Sequence, residues 1–284
     1  MVEQERPPTN PEGGTGGRIQ LFDADVLKLR GTWSNCAVAL GHTWERCAAN
    51  QNSESSPFDV KDKDGLRGKA NPGHNNTDVS RAAHEKIASD LAALLDLPIP
   101  PVTLFKLEGV LPQDPRTKLP GTPFVCVSAW AFPSCDEWAK HVAVITEEEK
   151  ASTIAALSAV WVFDSWISAD DRLFSKHILV SPTGKPPLKI ACIDYAFSLS
   201  RSWASNPRTN IAANWEMPFE IAKRDPAAVL GIAKAIVGIT DAKVGEIVNR
   251  IGVEWLPPAR RDLILKNLLE RKGKIAEIVG VTIV

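Results

Sequence analysis

The stretch from Trp161 to Ser200, WVFDSWISADDRLFSKHILVSPTGKPPLKIACIDYAFSLS, restricts what this chain can fold into more than any other. It reads as an apolar helix, an acidic loop, a β-hairpin and a second acidic position. HILV (His177 to Val180) and LKIACI (Leu188 to Ile193) have strand composition, and SPTGKPP between them has the Pro and Gly of a turn. A hairpin returns its two open ends to one side. Asp170, Asp171 and Arg172, just before the first strand, are therefore expected beside Asp194, just after the second. Carboxylates and an arginine gathered in this way can hold a metal and a phosphate.

The rest of the composition sets bounds on the partners. The 284 residues are 44% hydrophobic and 24% charged, with a net charge of −1. This is enough chain for one large domain or two lobes sharing a cleft. The balanced charge supplies no basic field that would make nucleic acid or an anionic membrane the main partner. Five cysteines, an odd number with no CxxC spacing, read as reduced, mostly buried thiols in a cytoplasmic protein. No apolar run is long enough to span a membrane, and no N-terminal run has the pattern of a secretory signal.

Along the chain, residues 1–18 are rich in Pro, Gly and Glu and read as a disordered tail. A mixed region follows. Its clearest part is a hairpin in which Phe58 and Val60 alternate with polar residues, Asp64-Gly65 turns, and Leu66 to Ala70 return. Asp78 to Asp96 is predicted helical, with Thr77 as cap and Ile87, Leu91 and Leu94 as its apolar stripe. Glu85 lies off that stripe, on a side that carries the small residues Ala88 and Ala92. Val102 to Leu107 and Phe124 to Ala129 are predicted strands. Glu148 to Ile167 is apolar on nearly every side, the pattern of a buried central helix. Further helices are predicted after the hairpin, among them Asp241 to Ile251, capped by Thr240, and Pro258 to Val279. Strands with one helix, then helices with one embedded hairpin, give an α+β fold of two lobes, 19–131 and 132–284.

Phosphoryl transfer needs a loop over the phosphates, a lysine on them, an acid to fix that lysine, a carboxylate for the incoming hydroxyl, and metal ligands. Ser53 to Ser56, Lys69, Glu85, Asp171 and Asp194 occur in that order. At this point the chain resembles the HipA-like kinases, distant relatives of the phosphatidylinositol 3- and 4-kinases. The likeness rests on Pro57-Phe58, Asp64-Gly65 and Lys69, on Glu85 followed by LDLPIPPV, on FDSWISADDRLFSK, and on LKIACIDYAFSL. A late pattern around Glu254-Trp255-Leu256 extends it toward the C-terminus.

The resemblance implies a two-lobed protein-kinase-like fold that uses ATP and Mg2+. Lys69 would contact the α and β phosphates, and Glu85 would hold it by an ion pair. Asp171 would orient or deprotonate the acceptor hydroxyl, with Arg172 counted beside it among the catalytic residues. Asp194 would bind magnesium. Ser55 and Ser56 would lie in the phosphate loop, where a serine can be an autophosphorylation site. Ser128 and Trp130 would form the hinge against the adenine. The acceptor would be a protein or small-molecule hydroxyl, most simply Ser or Thr of a protein, in a bacterial kinase acting as a toxin or stress regulator with a regulatory protein partner.

The chain also departs from the family pattern. Lys176 stands where the family has a metal-binding Asn, and aligning from the strand puts His177 there instead. Ala169 and Leu173 replace the family's Asn and His in the same loop. A nucleotide-binding module without catalysis is therefore the second reading. A different transfer chemistry, nucleotidyl transfer or a lipid acceptor, is the third.

Overall fold

The computed structural model describes residues 24–49, 57–72, 80–106, 124–132, 135–169, 172, 174–200 and 223–283. Helix α1 (Ala24–Trp33) comes first, then β1 (Glu45–Ala49), β2 (Phe58–Lys61) and β3 (Arg67–Pro72). Sequence pattern does not reveal α1: among its described residues Val26, Arg30 and Trp33 are buried at helical spacing, but the middle one is a cation, so the apolar stripe is interrupted. β2 and β3 form the expected hairpin. Gly65 takes a left-handed φ of +87°, and the Asp62 carboxylate accepts the N–H groups of Asp64 and Leu66 at 3.0 and 2.8 Å, which fixes the turn.

Helix α2 (Ser80–Leu94), β4 (Val102–Lys106) and β5 (Phe124–Ala129) follow. The first sheet is antiparallel throughout, in the order β1-β2-β3-β5-β4. Alternation along its strands gives two faces. Phe58, Val60, Ala70 and Val127 pack on one, with Trp44 and Phe105. Val102, Leu104 and Cys126 face the other way and join the main core with α2.

After β5, Ala131 and Phe132 pack against Val26 of α1 and against Ala191. The chain continues through β6 (Asp136–Glu137), α3 (Trp138–His141), α4 (Glu147–Ser152) and α5 (Ile154–Ile167). The single helix expected over 148–167 is thus two, separated at Thr153. The first has its own capping box, made by Thr146 and Glu149. Next come α6 (Phe174–His177), β7 (Ile178–Ser181) and β8 (Lys189–Cys192), and a second sheet runs β6-β7-β8. The predicted hairpin is present, but His177 closes α6 rather than opening the strand. Helices α7 (Pro226–Gly238), α8 (Asp241–Asn249) and α9 (Pro258–Val279) complete the described fold. Thr240 caps α8 as predicted, accepting the Lys243 N–H at 3.2 Å.

Helix α5 is buried from Leu157 to Ile167, as its composition demands. Its last carbonyls, those of Ser165 and Trp166, each accept from Arg271 Nε of α9 at 3.0 Å, and Trp166 Nε1 donates to Leu268 O at 3.0 Å. The result is the expected α+β, two-lobed arrangement: a sheet with a helix on its face, then helices around a hairpin. Cys126 and Cys192 are buried, Cys36 and Cys135 half-buried and Cys47 exposed, and all five are free thiols. Among the described residues no helix is long and apolar enough to cross a membrane.

Candidate active site

Lys69 occupies a rung that crosses four strands. Asp59 on β2, Lys69 on β3, Ser128 on β5 and Val102 on β4 are register partners. Such partners project from one face of a sheet, and Val102 identifies it as the face that α2 covers. The residue before Lys69 has to be small. A Cβ at Gly68 would stand 2.6 Å from Val127 Cγ1 and 3.1 Å from Ser128 O, so glycine lets β3 and β5 close. Lys69 Nζ donates to Asp59 Oδ1 at 2.9 Å. The described ion pair of Lys69 is therefore with the neighbouring strand and not with Glu85, the expected partner, which is buried on α2.

Glu85 nevertheless belongs to the same neighbourhood as Asp194. The Cys126 thiol sits on the Lys69 face of β5 and is pushed well above its ordinary pKa, first by burial and then by the negative charge of Glu85. Asp194 adds to the rise, and hydrogen bonds to backbone oppose it. One buried sulfur thus feels both carboxylates. A direct link runs alongside, for His84 Nδ1 lies 2.8 Å from Ala196 O. The helix that carries Glu85 is thereby fastened to the segment that follows Asp194.

The hairpin ends are held by Arg172. Its side chain is 1% exposed. Nε and Nη2 grip the two oxygens of Asp164 at 2.9 and 3.3 Å, and Nη1 donates to Ile193 O at 2.6 Å and His177 O at 3.3 Å. Burial is the largest influence and works against the guanidinium charge, but the interactions with Asp164, Tyr195 and Cys192 together hold the pKa well above the ordinary value. Arg172 therefore ties the helix before the acidic loop to both ends of the hairpin. Its described partners are these structural groups.

Beyond Ile193 the chain leaves the strand sharply. Asp194 has φ +68°, a left-handed conformation that aspartate tolerates better than most residues. Its Oδ2 stands 3.4 Å from His177 Nε2. Lys176 is exposed on α6. At the hinge, Ser128 lies beside Lys69 on its rung, while the Trp130 N–H donates to Arg67 O at 3.0 Å and the Arg67 guanidinium covers the indole at 3.6 Å. Ser53, Ser55, Ser56, Asp170, Asp171 and Leu173 lie outside the described residues. Ala169 and Arg172, which flank the acidic pair, are both buried.

Three residues of this neighbourhood escape a reading of motifs. Asp164 carried a signal, since a carboxylate inside an otherwise apolar helix needs a cationic partner. Asp59 carried one too, because a hairpin centred on Asp64 pairs residue 59 with residue 69. His84 carried none, as its partner is a carbonyl 112 positions away.

Among the described residues no three His, Cys, Asp or Glu side chains are grouped to hold a metal. Asp194 offers a single part-exposed carboxylate beside an imidazole. Magnesium is often held by one or two carboxylates together with substrate phosphates. The described donors fit an ion that arrives with phosphates.

A family model for HipA-like kinases matches residues 53–197. The chain belongs to the HipA-like kinase family. The match takes in Lys69, Glu85, Asp171 and Asp194 and ends before α7, so the likeness around Glu254-Trp255-Leu256 lies beyond it. In this HipA-like chain the family chemistry is kinase-like phosphotransfer. No curated protein matches the chain.

Proposed function

We propose that the chain is an ATP-dependent phosphotransferase acting on a hydroxyl, most simply Ser or Thr of a protein. The observation that carries this reading is the convergence of α2 with the end of the hairpin. His84 bonds to Ala196 O, and Glu85 and Asp194 both act on the Cys126 thiol, behind a sheet rung that presents Lys69 and Ser128. Phosphoryl transfer calls for a lysine strand, a glutamate helix and a metal aspartate close together, and this convergence supports that reading.

In this mechanism Lys69 binds the α and β phosphates, and Glu85 orients Lys69 once it has left Asp59. Ser128 and Trp130 line the adenine end, and Ser55 and Ser56 belong to the loop over the phosphates. Asp171 takes the proton of the acceptor hydroxyl as the new P–O bond forms and the bond to the β-phosphate breaks, leaving ADP. Asp194 would hold Mg2+, with His177 beside it, and the ion would supply positive charge to the phosphate oxygens. Arg172 keeps the acidic loop in register with Asp194.

Asp171→Ala and Asp194→Ala should each lower phosphate transfer roughly 100-fold or more, measured with labelled ATP and mass spectrometry of the products. Full transfer by either variant would end this assignment. A specific feature favours a second reading, a nucleotide-binding module without turnover: Lys176 or His177 stands where the family has a metal-binding Asn. A thermal shift with ATP that does not depend on magnesium, together with no transfer by the wild-type chain, would select that reading.

A further inference from the structure

We infer that Asp59 is an internal competitor for the nucleotide's phosphates, holding the Lys69 ammonium in the free chain and so setting how tightly nucleotide binds. This rests on the reading of Lys69 as the nucleotide lysine.

The two groups meet by construction of the sheet. Asp59 and Lys69 are direct register partners on antiparallel strands, and Nζ lies 2.9 Å from Oδ1. Their side chains remain 26% and 39% exposed, so solvent and a ligand can reach both. A pair this exposed contributes little to folding. β2 is joined to β3 by the backbone ladder from Phe58↔Ala70 to Lys61↔Arg67, with or without the ion pair.

What the pair changes is the charge on the rung. With Asp59 beside it, Lys69 offers an incoming polyphosphate a nearly neutral couple instead of a free cation. The phosphates must draw the ammonium away, and they then remain within Coulomb range of the carboxylate left behind. Both effects weaken binding, and both act on phosphates rather than on the base.

The test uses the full chain and four proteins: wild type, Asp59→Asn, Lys69→Met and the double variant. Asparagine keeps the shape of aspartate and removes its charge. Calorimetric titration with MgATP should show Asp59→Asn binding roughly 3- to 10-fold tighter than wild type, the scale expected for one unit charge near phosphates at a solvated site. Lys69→Met should bind more weakly. Adding Asp59→Asn to Lys69→Met should recover about 2-fold or less, because no ammonium is left to release. Adenosine, which has no phosphates, should bind wild type and Asp59→Asn alike. Equal or weaker MgATP binding by Asp59→Asn, with Lys69→Met still impaired, would overturn the role of Asp59 and leave the nucleotide reading standing. Binding by none of the four would overturn the nucleotide reading itself.

Discussion

Glu149 is a fully buried carboxylate that serves two elements at once. Its Oε2 accepts the Thr146 N–H at 3.1 Å, completing the cap of α4, and its Oε1 accepts the N–H groups of Thr183 and Gly184 at 2.8 and 2.9 Å in the β7–β8 turn. Burial alone would raise its pKa. The bonds from Thr183, Thr146 and Gly184 outweigh that and hold it below the ordinary value. The sign of the pH effect follows. A depressed folded-state pKa gives stability that is present above the unfolded value of about 4.3 and is lost as pH falls through the folded value. Glu149→Ala should therefore cost roughly 2–4 kcal/mol at neutral pH, because three backbone donors lose a charged acceptor. In urea titrations the gap to wild type should narrow as the pH drops below about 4. A gap that stays constant with pH would mean that the carboxylate's charge is not what the turn uses. Arg172 has a comparable place at the other end of the hairpin, with Asp164 as its counter-charge.

At the scale of the element, α2 departs most from its sequence pattern. A stripe of Ile87, Leu91 and Leu94 is expected to face the core, but Leu94 is 42% exposed while Ala88 and Ala92 are fully buried. The helix is enclosed from Ala82 to Ala92, on what looked like its polar side as well as its apolar one. Two of its charged side chains are paired with each other there. Lys86 Nζ bonds to Asp90 Oδ1 at 2.6 Å and to Trp33 O of α1 at 2.7 Å, with both side chains essentially inaccessible. Removing one partner leaves a buried, uncompensated charge, whereas removing both does not. Lys86→Met should therefore destabilise the chain by about 3–5 kcal/mol. The double variant Lys86→Met/Asp90→Leu should be clearly more stable than that single one in chemical denaturation. If the double variant is the less stable of the two, Asp90 has a role beyond answering Lys86.

At the scale of the molecule, one core joins what the chain order separates. Ile87 and Leu91 of α2, Leu104 of β4, Trp166 of α5, Ile190 of β8 and Leu268 of α9 belong to a single buried cluster. The Cys192 N–H donates to Pro98 O at 2.7 Å, linking the hairpin to the loop that follows α2. A cluster of this kind predicts one cooperative unfolding transition, with tryptophan fluorescence and far-UV circular dichroism changing together. Two separated transitions would mean that the sheet and the helices fold as independent units. Much of this arrangement is legible in the residues alone. The hairpin around Asp64-Gly65, strands β4 and β5, the buried α5, and the order of Lys69, Glu85 and Asp194 all follow from local alternation, turn chemistry and spacing, which act over a few residues. The partners of the charged groups follow from these only in part, since hairpin register places Asp59 beside Lys69 but does not choose it over Glu85. Lys69 rests on Asp59 rather than Glu85, Arg172 is enclosed by Asp164 and two carbonyls, and α2 is covered on every side. The two ion pairs are short-range, ten residues apart for Lys69 and Asp59 and eight for Arg172 and Asp164, but which of the nearby charges pair depends on how the elements pack. In sequence, then, this protein declares its elements and the chemical groups it owns. Which of the carboxylates within reach holds each cation was decided by packing, because sequence supplies the candidate pairs and burial selects among them.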